Sequence, residues 1–156
     1  MKWVVDSNVA IVANGKAQQV SAVCQICCIE FLQYAISPKS PDVIALDNNG
    51  AIFDEYKKHL SFAGQPGVGD IFFKFIHDQM YSKNKIKLFV INPVNDESVG
   101  YRELPPNNLD QSDRKFLAVA CVAKANIANA TDTDWEQQKA LVTSLGVTVK
   151  QLCKGQ

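Results

Sequence analysis

Apolar positions in this chain come in short continuous runs separated by longer stretches of helical spacing. Lys2 to Val5 is an apolar run ended by Asp6, the pattern of a buried strand whose last residue turns polar as the chain leaves the sheet. Apolar residues at 20, 23, 24, 27, 28, 31, 32 and 35 then follow a helical period that Ser37-Pro38 stops. Asp42 to Leu46 predicts a second strand, Asn49-Gly50 a turn, Ala51 to Leu60 a helix, and Ile71 to Met80 another helix after the glycine-rich Gly64 to Gly69. Lys87 to Ile91 predicts a third strand closed by Asn92-Pro93, and Gln111 to Lys124 a helix. A strand near Asn126 to Ala130 follows, then a helix from Trp135 to Leu145 with Gly146 as its stop, then a strand at Val147 to Val149. Strands and helices alternate throughout. The expectation is an α/β fold of three layers, α/β/α, around a central, mainly parallel sheet of four to five strands.

Composition narrows this further. The chain has 156 residues with 47% hydrophobic positions, enough for one core, and no repeat or linker divides residues 1–156 into more than one domain. Lys and Arg number 16 against 16 Asp and Glu, so the balance excludes the strongly basic profile of a general nucleic-acid binder. Cys24, Cys27, Cys28, Cys121 and Cys153 are too few and too unevenly placed for a disulfide framework, which points to a reducing, cytoplasmic setting. A charged residue interrupts the N-terminal apolar run, so no secretion signal is expected there. The most apolar stretch, Val20 to Ile36, contains Gln25, Glu30 and Gln33, so no membrane association is expected.

The acids are distributed unevenly over this framework. Asp6 ends the first strand, Asp113 lies in the first turn of a helix, and Asp132 and Asp134 follow the fourth strand. A parallel sheet brings the carboxyl ends of its strands to one edge, where sites form. Asp113 heads a helix face that continues through Leu117, Ala120 and Cys121, which aims its carboxylate toward the sheet. Gathering carboxylates in a partly buried place is costly unless a cation compensates, and an all-oxygen set with no nearby His or Cys suits Mg²⁺ or Mn²⁺ better than Zn²⁺. His59 and His77 fall in helical segments away from the strand ends. Helix capping is the competing explanation for Asp110, and for Asp134 with Gln137. Asp6 ends a strand and by itself caps nothing, and Asp132 is left free if Asp134 makes the cap.

With these residues in place the chain resembles the PIN-domain nucleases, the family that includes VapC-type toxins of bacterial toxin-antitoxin pairs. Val4-Val5-Asp6-Ser7-Asn8-Val9 is similar to the family's opening strand, which ends in a metal-binding Asp followed by a small hydroxyl residue and Asn. Asp113-Arg114-Lys115-Phe116-Leu117-Ala118-Val119-Ala120 resembles the helix bearing the third acid, and Ala130-Thr131-Asp132-Thr133-Asp134-Trp135 resembles the closing T-x-D-x-D-aromatic segment. Order and spacing agree over nearly the whole chain. The family's second acid is matched here by Glu55, with Glu30 on the first long helix as the rival.

The resemblance implies metal-dependent hydrolysis of phosphodiester bonds in single-stranded RNA. It makes Asp6, Glu55, Asp113 and Asp132 the catalytic acids and ligands of one or two Mg²⁺ or Mn²⁺ ions, with Asp134 a further ligand and Ser7, Asn8 and Thr131 supporting them. In a two-ion arrangement the ions stand about 4 Å apart, one activating water and the other stabilising the leaving oxygen. Arg114 and Lys115 are the expected phosphate contacts, ahead of Lys57, Lys58, Lys83, Lys85 and Lys87. An antitoxin protein and a second copy of the chain are the partners the family pattern implies, with Phe72, Phe73 and Phe75 read either as such an interface or as core. The alternative is a PIN-like binding or interaction module of little catalytic activity.

Other motifs yield to simpler readings. Gly64 to Gly69 lacks the Lys-Ser/Thr of a phosphate loop and reads as a helix-leading loop, and Asp6-Ser7-Asn8 stands where a dinucleotide fold needs glycines. Cys24, Cys27 and Cys28 fall on one apolar helical stripe and read as core packing. Two divalent ions would take the formal charge from 0 to about +4, so neutrality is compatible with a polyanionic substrate once metal is bound. RNA affinity is therefore expected to rise with millimolar Mn²⁺ as well as to fall with salt. Equal binding with Mn²⁺ and with EDTA in a filter-binding titration would overturn this.

Overall fold

A computed structural model describes residues 1–82 and 84–153. Five strands form one all-parallel sheet in the order β3-β2-β1-β4-β5: β1 (Lys2–Val5), β2 (Val43–Asp47), β3 (Ile86–Phe89), β4 (Asn126–Asn129) and β5 (Val149–Gln151). Among the described residues there are seven helices: α1 (Ser7–Ala13), α2 (Ala22–Ile36), α3 (Ala51–Lys57), α4 (Val68–Gln79), α5 (Gln111–Ala123), α6 (Asp134–Gln137) and α7 (Lys139–Ser144). The architecture is the expected three-layer α/β/α. Helices α1, α2 and α4 pack on one another over the sheet, and α5 lies across β1, β2, β3 and β4 with α3 beside it. Val4, Val5, Ile44, Ala45, Ile127 and Ala128 are fully buried, which is why these strands read as unbroken apolar runs.

Several boundaries differ from the sequence expectation. Helix α1 lies in a segment that carried no helix prediction, because Val9, Ile11 and Val12 are β-branched and continue the apolar character of β1. Tertiary burial of Val9, Ala10, Val12 and Ala13 overrides that weak propensity. The expected last helix divides at Gln138 into α6 and α7. The final strand lies two residues later than expected, because after Gly146 (φ +74°) buried Val147 still bonds back to Val142. On α2, Cys24, Cys28, Leu32 and Ala35 are buried, whereas Val23 and Ile26 are exposed and Cys27 is only half-buried, so the core stripe is narrower than the apolar pattern. Phe72 and Phe73 belong to the core.

The glycine-rich segment does lead a helix. Asp70 accepts from Ser61 N (3.0 Å), Gly67 N (3.1 Å) and Asn14 Nδ2 (3.0 Å), while its own N donates to Asn14 Oδ1 (3.0 Å), which locks α4 to the end of α1. Those donors hold the Asp70 carboxyl below its ordinary range against the opposing effect of burial. Gly69 sits against the Ala10 carbonyl so closely that a β-carbon would collide with backbone.

A disulfide joins Cys24 on α2 to Cys153 just beyond β5, across a separation of 129 residues. This corrects the expectation that Cys24 only packs: two positions distant in sequence meet because β5 runs beside α2's layer. Closing so long a loop restricts the unfolded chain by about 4–5 kcal/mol in the chain-entropy account. Among the described residues no helix is long and apolar enough to cross a membrane.

Gly69→Ala is expected to lower stability by about 1–3 kcal/mol through overpacking against Ala10, read as an earlier midpoint in urea unfolding. A variant with the wild-type midpoint would show that α1 and α4 separate freely.

Candidate functional site

The strand order places a crevice beside β1. From β1 the chain proceeds through β2 to β3 on one side, then returns to β4 and β5 on the other, so the carboxyl ends of β1 and β4 flank the point where the order reverses. Crossovers diverge there and leave room for a ligand. Val5 pairs with Ala128 and the Asp6 N–H donates to Ala128 O (3.0 Å), which sets Asp6 beside Asn129.

Three acids from separate segments meet at this edge. One carboxylate oxygen from each of Asp6, Asp113 and Asp132 lies within 4.8 Å of the others. Asp6 is buried; its Oδ2 accepts from Trp135 Nε1 (2.8 Å) and its Oδ1 from Asn8 N (3.2 Å). The second bond makes Asp6 the N-cap of α1, correcting the inference that it caps nothing. Asp113 stands in the first turn of α5, behind the cap Asp110, whose side chain accepts from Ser112 N (3.0 Å). Asp132 Oδ1 accepts from Asp134 N (2.9 Å), so Asp132 makes the turn that leads into α6 and Asp134 is the first helical residue, not the cap.

Burial and mutual repulsion govern these acids. Loss of water pushes the Asp6 carboxyl up to about 6 despite its bonds from Trp135 and Asn8, with Asp132 and Glu55 adding to the rise. Asp113 is pushed up to about 8, first by burial and then by the charges of Asp6 and Asp132. Among the described residues no hydrogen bond reaches the Asp113 carboxylate, so no protein donor offsets that cost. Asp134 is raised as well, chiefly by Asp132.

Glu55 occupies the far wall of the same cleft, of about 300 Å³, whose lining includes Asp6, Asn8, Glu55, His59, Asp113 and Asp132. Its carboxylate bonds Lys115 Nζ (2.8 Å) and faces His59 Nε2 (3.4 Å) and Lys58 Nζ (3.7 Å). It stands outside the three-acid group, and these cations hold its carboxyl below the ordinary value although burial opposes them. Glu30 is exposed on α2 beside a different groove. Of the two rivals, Glu55 alone lines the acid cleft. Ser7 and Thr131 also line it, whereas Asp134 does not.

Several expected roles change. Arg114 is buried and its guanidinium donates to Leu109 O (3.2 Å), Glu97 O and Asn107 O (3.5 Å), so it anchors the 97–109 loop to α5 and is unavailable to a phosphate. Lys115 is half-withdrawn into its pair with Glu55. Lys85 bonds Ser40 O (2.8 Å) and precedes β3, at the sheet edge opposite the acids. Lys83 lies outside the described residues. Asn8 uses both ends of its amide structurally, donating to Asn129 Oδ1 (2.7 Å) and accepting from Ala130 N (2.9 Å).

His59, expected from its helical spacing only as a surface partner of Glu55, makes that pairing and also lines the cleft, and one further residue of the site escaped the sequence reading. Asn129 is completely buried and ends β4 in a run with no motif to mark it. Its Oδ1 accepts from Asn8 Nδ2 and Asp132 N, and its Nδ2 donates to Asp132 O (2.8 Å) and Gln151 Oε1 (2.6 Å).

The carboxylate set fits a hard divalent cation: three oxygen donors, no nitrogen or sulfur among them, and repulsion that a cation would relieve. Comparison with protein-family models, curated proteins and solved structures returns no match.

Asp6 and Asp113 bind protons more tightly in the folded chain than at their ordinary value of 3.8. Between about pH 4 and pH 8 the folded state therefore carries more protons than the unfolded one, and stability falls as pH rises through that window. Acids held low, such as Asp70, act in the opposite sense below it. In EDTA the melting temperature is expected to drop from pH 5 to pH 8, and Asp113→Asn to flatten the slope. A calorimetric series rising over that range would sink the account.

Proposed function

We propose that the chain is a divalent-metal-dependent nuclease that hydrolyses phosphodiester bonds of single-stranded RNA, as its resemblance to the PIN-domain nucleases implies. The observation that carries this reading is the meeting of Asp6, Asp113 and Asp132 within 4.8 Å at the reversal point of the sheet, with Asp113 uncompensated by any hydrogen bond. Gathering acids at this cost has a purpose if a cation joins them.

Asp6, Asp113 and Asp132 would hold Mg²⁺ or Mn²⁺. A bound ion of this kind withdraws charge from a phosphoryl oxygen and lowers the pKa of water beside it. The chain's own residues supply order. Trp135 fixes the Asp6 carboxylate from behind, Asn129 holds the backbone of Asp132 at both N–H and C=O, and α5 presents Asp113 from its first turn. Lys115 keeps Glu55 ionised on the opposite wall, where with His59 it borders the space a substrate phosphate would enter. The open, polar cleft suits an extended strand better than an enclosed small molecule.

A second reading, an interaction module of little activity, is favoured by one observation: Arg114 is committed to backbone carbonyls and Lys115 to Glu55, which leaves few cations free at the cleft. The two readings part in a paired experiment. The nuclease reading expects cleavage of single-stranded RNA with Mn²⁺, loss of at least about 100-fold in Asp6→Asn or in EDTA, and a Mn²⁺-dependent rise in melting temperature that Asp113→Asn abolishes. Cleavage that persists in EDTA sinks the mechanism, and a thermal rise without cleavage leaves the module.

A further inference from the structure

Away from the acid cleft, a second cluster of reactive side chains is assembled from α2 and the segment beyond β5. Cys24 and Cys28 stand one turn apart on the inward face of α2, and Cys153 reaches them from beyond β5. Cys24 and Cys153 form the disulfide, and the Cys28 Sγ lies 3.8 Å from the Cys153 Sγ. All three sulfurs fall within 4.8 Å of one another. Cys27, half-buried on the adjoining helix position, and Cys121 on α5 stand outside this group.

One disulfide with a third thiol in contact has a chemistry that an isolated disulfide lacks. We propose that Cys24, Cys28 and Cys153 form a redox-active thiol site in which Cys153 exchanges between two partners on α2, and that its disulfide state controls the order of β5 and the loop carrying Asp132.

In the exchange step the Cys28 side chain turns into line with the Cys24–Cys153 bond, gives up its proton to solvent, and its sulfur bonds to Cys153 Sγ. The Cys24–Cys153 bond breaks, and Cys24 leaves with the electron pair and takes up a proton. No net oxidation occurs. Opening both pairings requires a dithiol or glutathione as reductant, which is itself oxidised to a disulfide; closing requires a low-molecular-weight disulfide such as oxidised glutathione, which is reduced to two thiols. Burial holds the Cys28 thiol up to about 12, with Cys27 adding to the rise, so the exchange proceeds through a small thiolate population and is slow while the cluster is closed.

The coupling runs through Asn129. Cys153 lies two residues after Gln151, whose Oε1 accepts from Asn129 Nδ2 (2.6 Å), and the intervening Leu152 N donates to Asn129 O (2.8 Å). The same Asn129 amide holds Asp132 at both its N–H and its C=O. β5 is a three-residue edge strand paired with β4 alone, and the covalent bond at Cys153 adds an anchor to that short ladder.

The proposal stands apart from the nuclease reading, because its readouts need neither metal nor RNA. The full chain is equilibrated with oxidised and reduced glutathione, quenched in acid, alkylated and mapped by peptide mass spectrometry. The wild type is expected to show the Cys24–Cys153 pair, with Cys27 and Cys121 alkylated at every ratio. Cys24→Ser is expected to pair Cys153 with Cys28. A free or glutathionylated Cys153 in Cys24→Ser overturns the exchange.

Hydrogen exchange of the wild type before and after reduction by dithiothreitol avoids any variant that fails to fold. Amides of residues 129–134 and 149–152 are expected to lose protection by at least about tenfold on reduction, ahead of those in β1 and α5. Protection unchanged by reduction, or lost uniformly over the whole chain, overturns the coupling.

Discussion

Asn129 is a fully buried amide that spends both of its donors and both of its acceptor positions on three different segments. A buried polar side chain is tolerated only when its hydrogen bonds are complete, and an incomplete set costs about 1–3 kcal/mol for each group left without a partner. Asn129 therefore allows only one arrangement of the chain around it. Asn8 must leave β1 on the β4 side, the loop after β4 must turn back through Asp132, and β5 must bring Gln151 alongside. The crevice at the reversal point is held to one shape by this requirement.

The acids depend on that shape and also work against it. Asp6 and Asp113 are withdrawn from water and face one another across the crevice, which raises both carboxyls. Trp135 and the first turn of α1 offset part of the cost at Asp6, whereas the Asp113 carboxylate receives no hydrogen bond among the described residues. Opposite them, Glu55 is paired with Lys115 and Lys58 and has His59 Nε2 at 3.4 Å. The cleft thus has one wall that calls for positive charge and another that already has it.

The two ends of the chain support this site from outside. β1 leads directly into Asp6, the cap of α1, while β5 and Cys153 close the described part of the chain and reach Asn129 through Gln151. The Cys24–Cys153 bond ties the last strand to the second helix, so a weak three-residue edge strand gains an anchor that its own ladder could not supply. On α4, Gly69 and the Asn14–Asp70 pair serve the same end by fixing α1, whose first turn is capped by Asp6.

The alternation of strands and helices, the parallel sheet and the placement of Asp6, Asp113 and Asp132 at strand ends or helix starts were legible in the sequence, because burial on both faces leaves continuous apolar runs and a parallel sheet puts its polar exits on one edge. Local pattern left Glu55 and Glu30 as rivals, since both lie on helices, and only the packing of α3 beside α5 puts Glu55 on the acid cleft. It could not show that Asp6 caps a helix, since α1 is built from β-branched residues that only tertiary packing makes helical. Nor could it tell Arg114 from Lys115: adjacent residues on a helix point in different directions, and the 97–109 loop, distant in sequence, captures one while Glu55 captures the other. Asn129 and the pairing of Cys24 with Cys153 lay furthest out of reach. Their roles come wholly from contacts between segments far apart in the chain, and a single sequence records which residues are present but not which of them the fold will bring together.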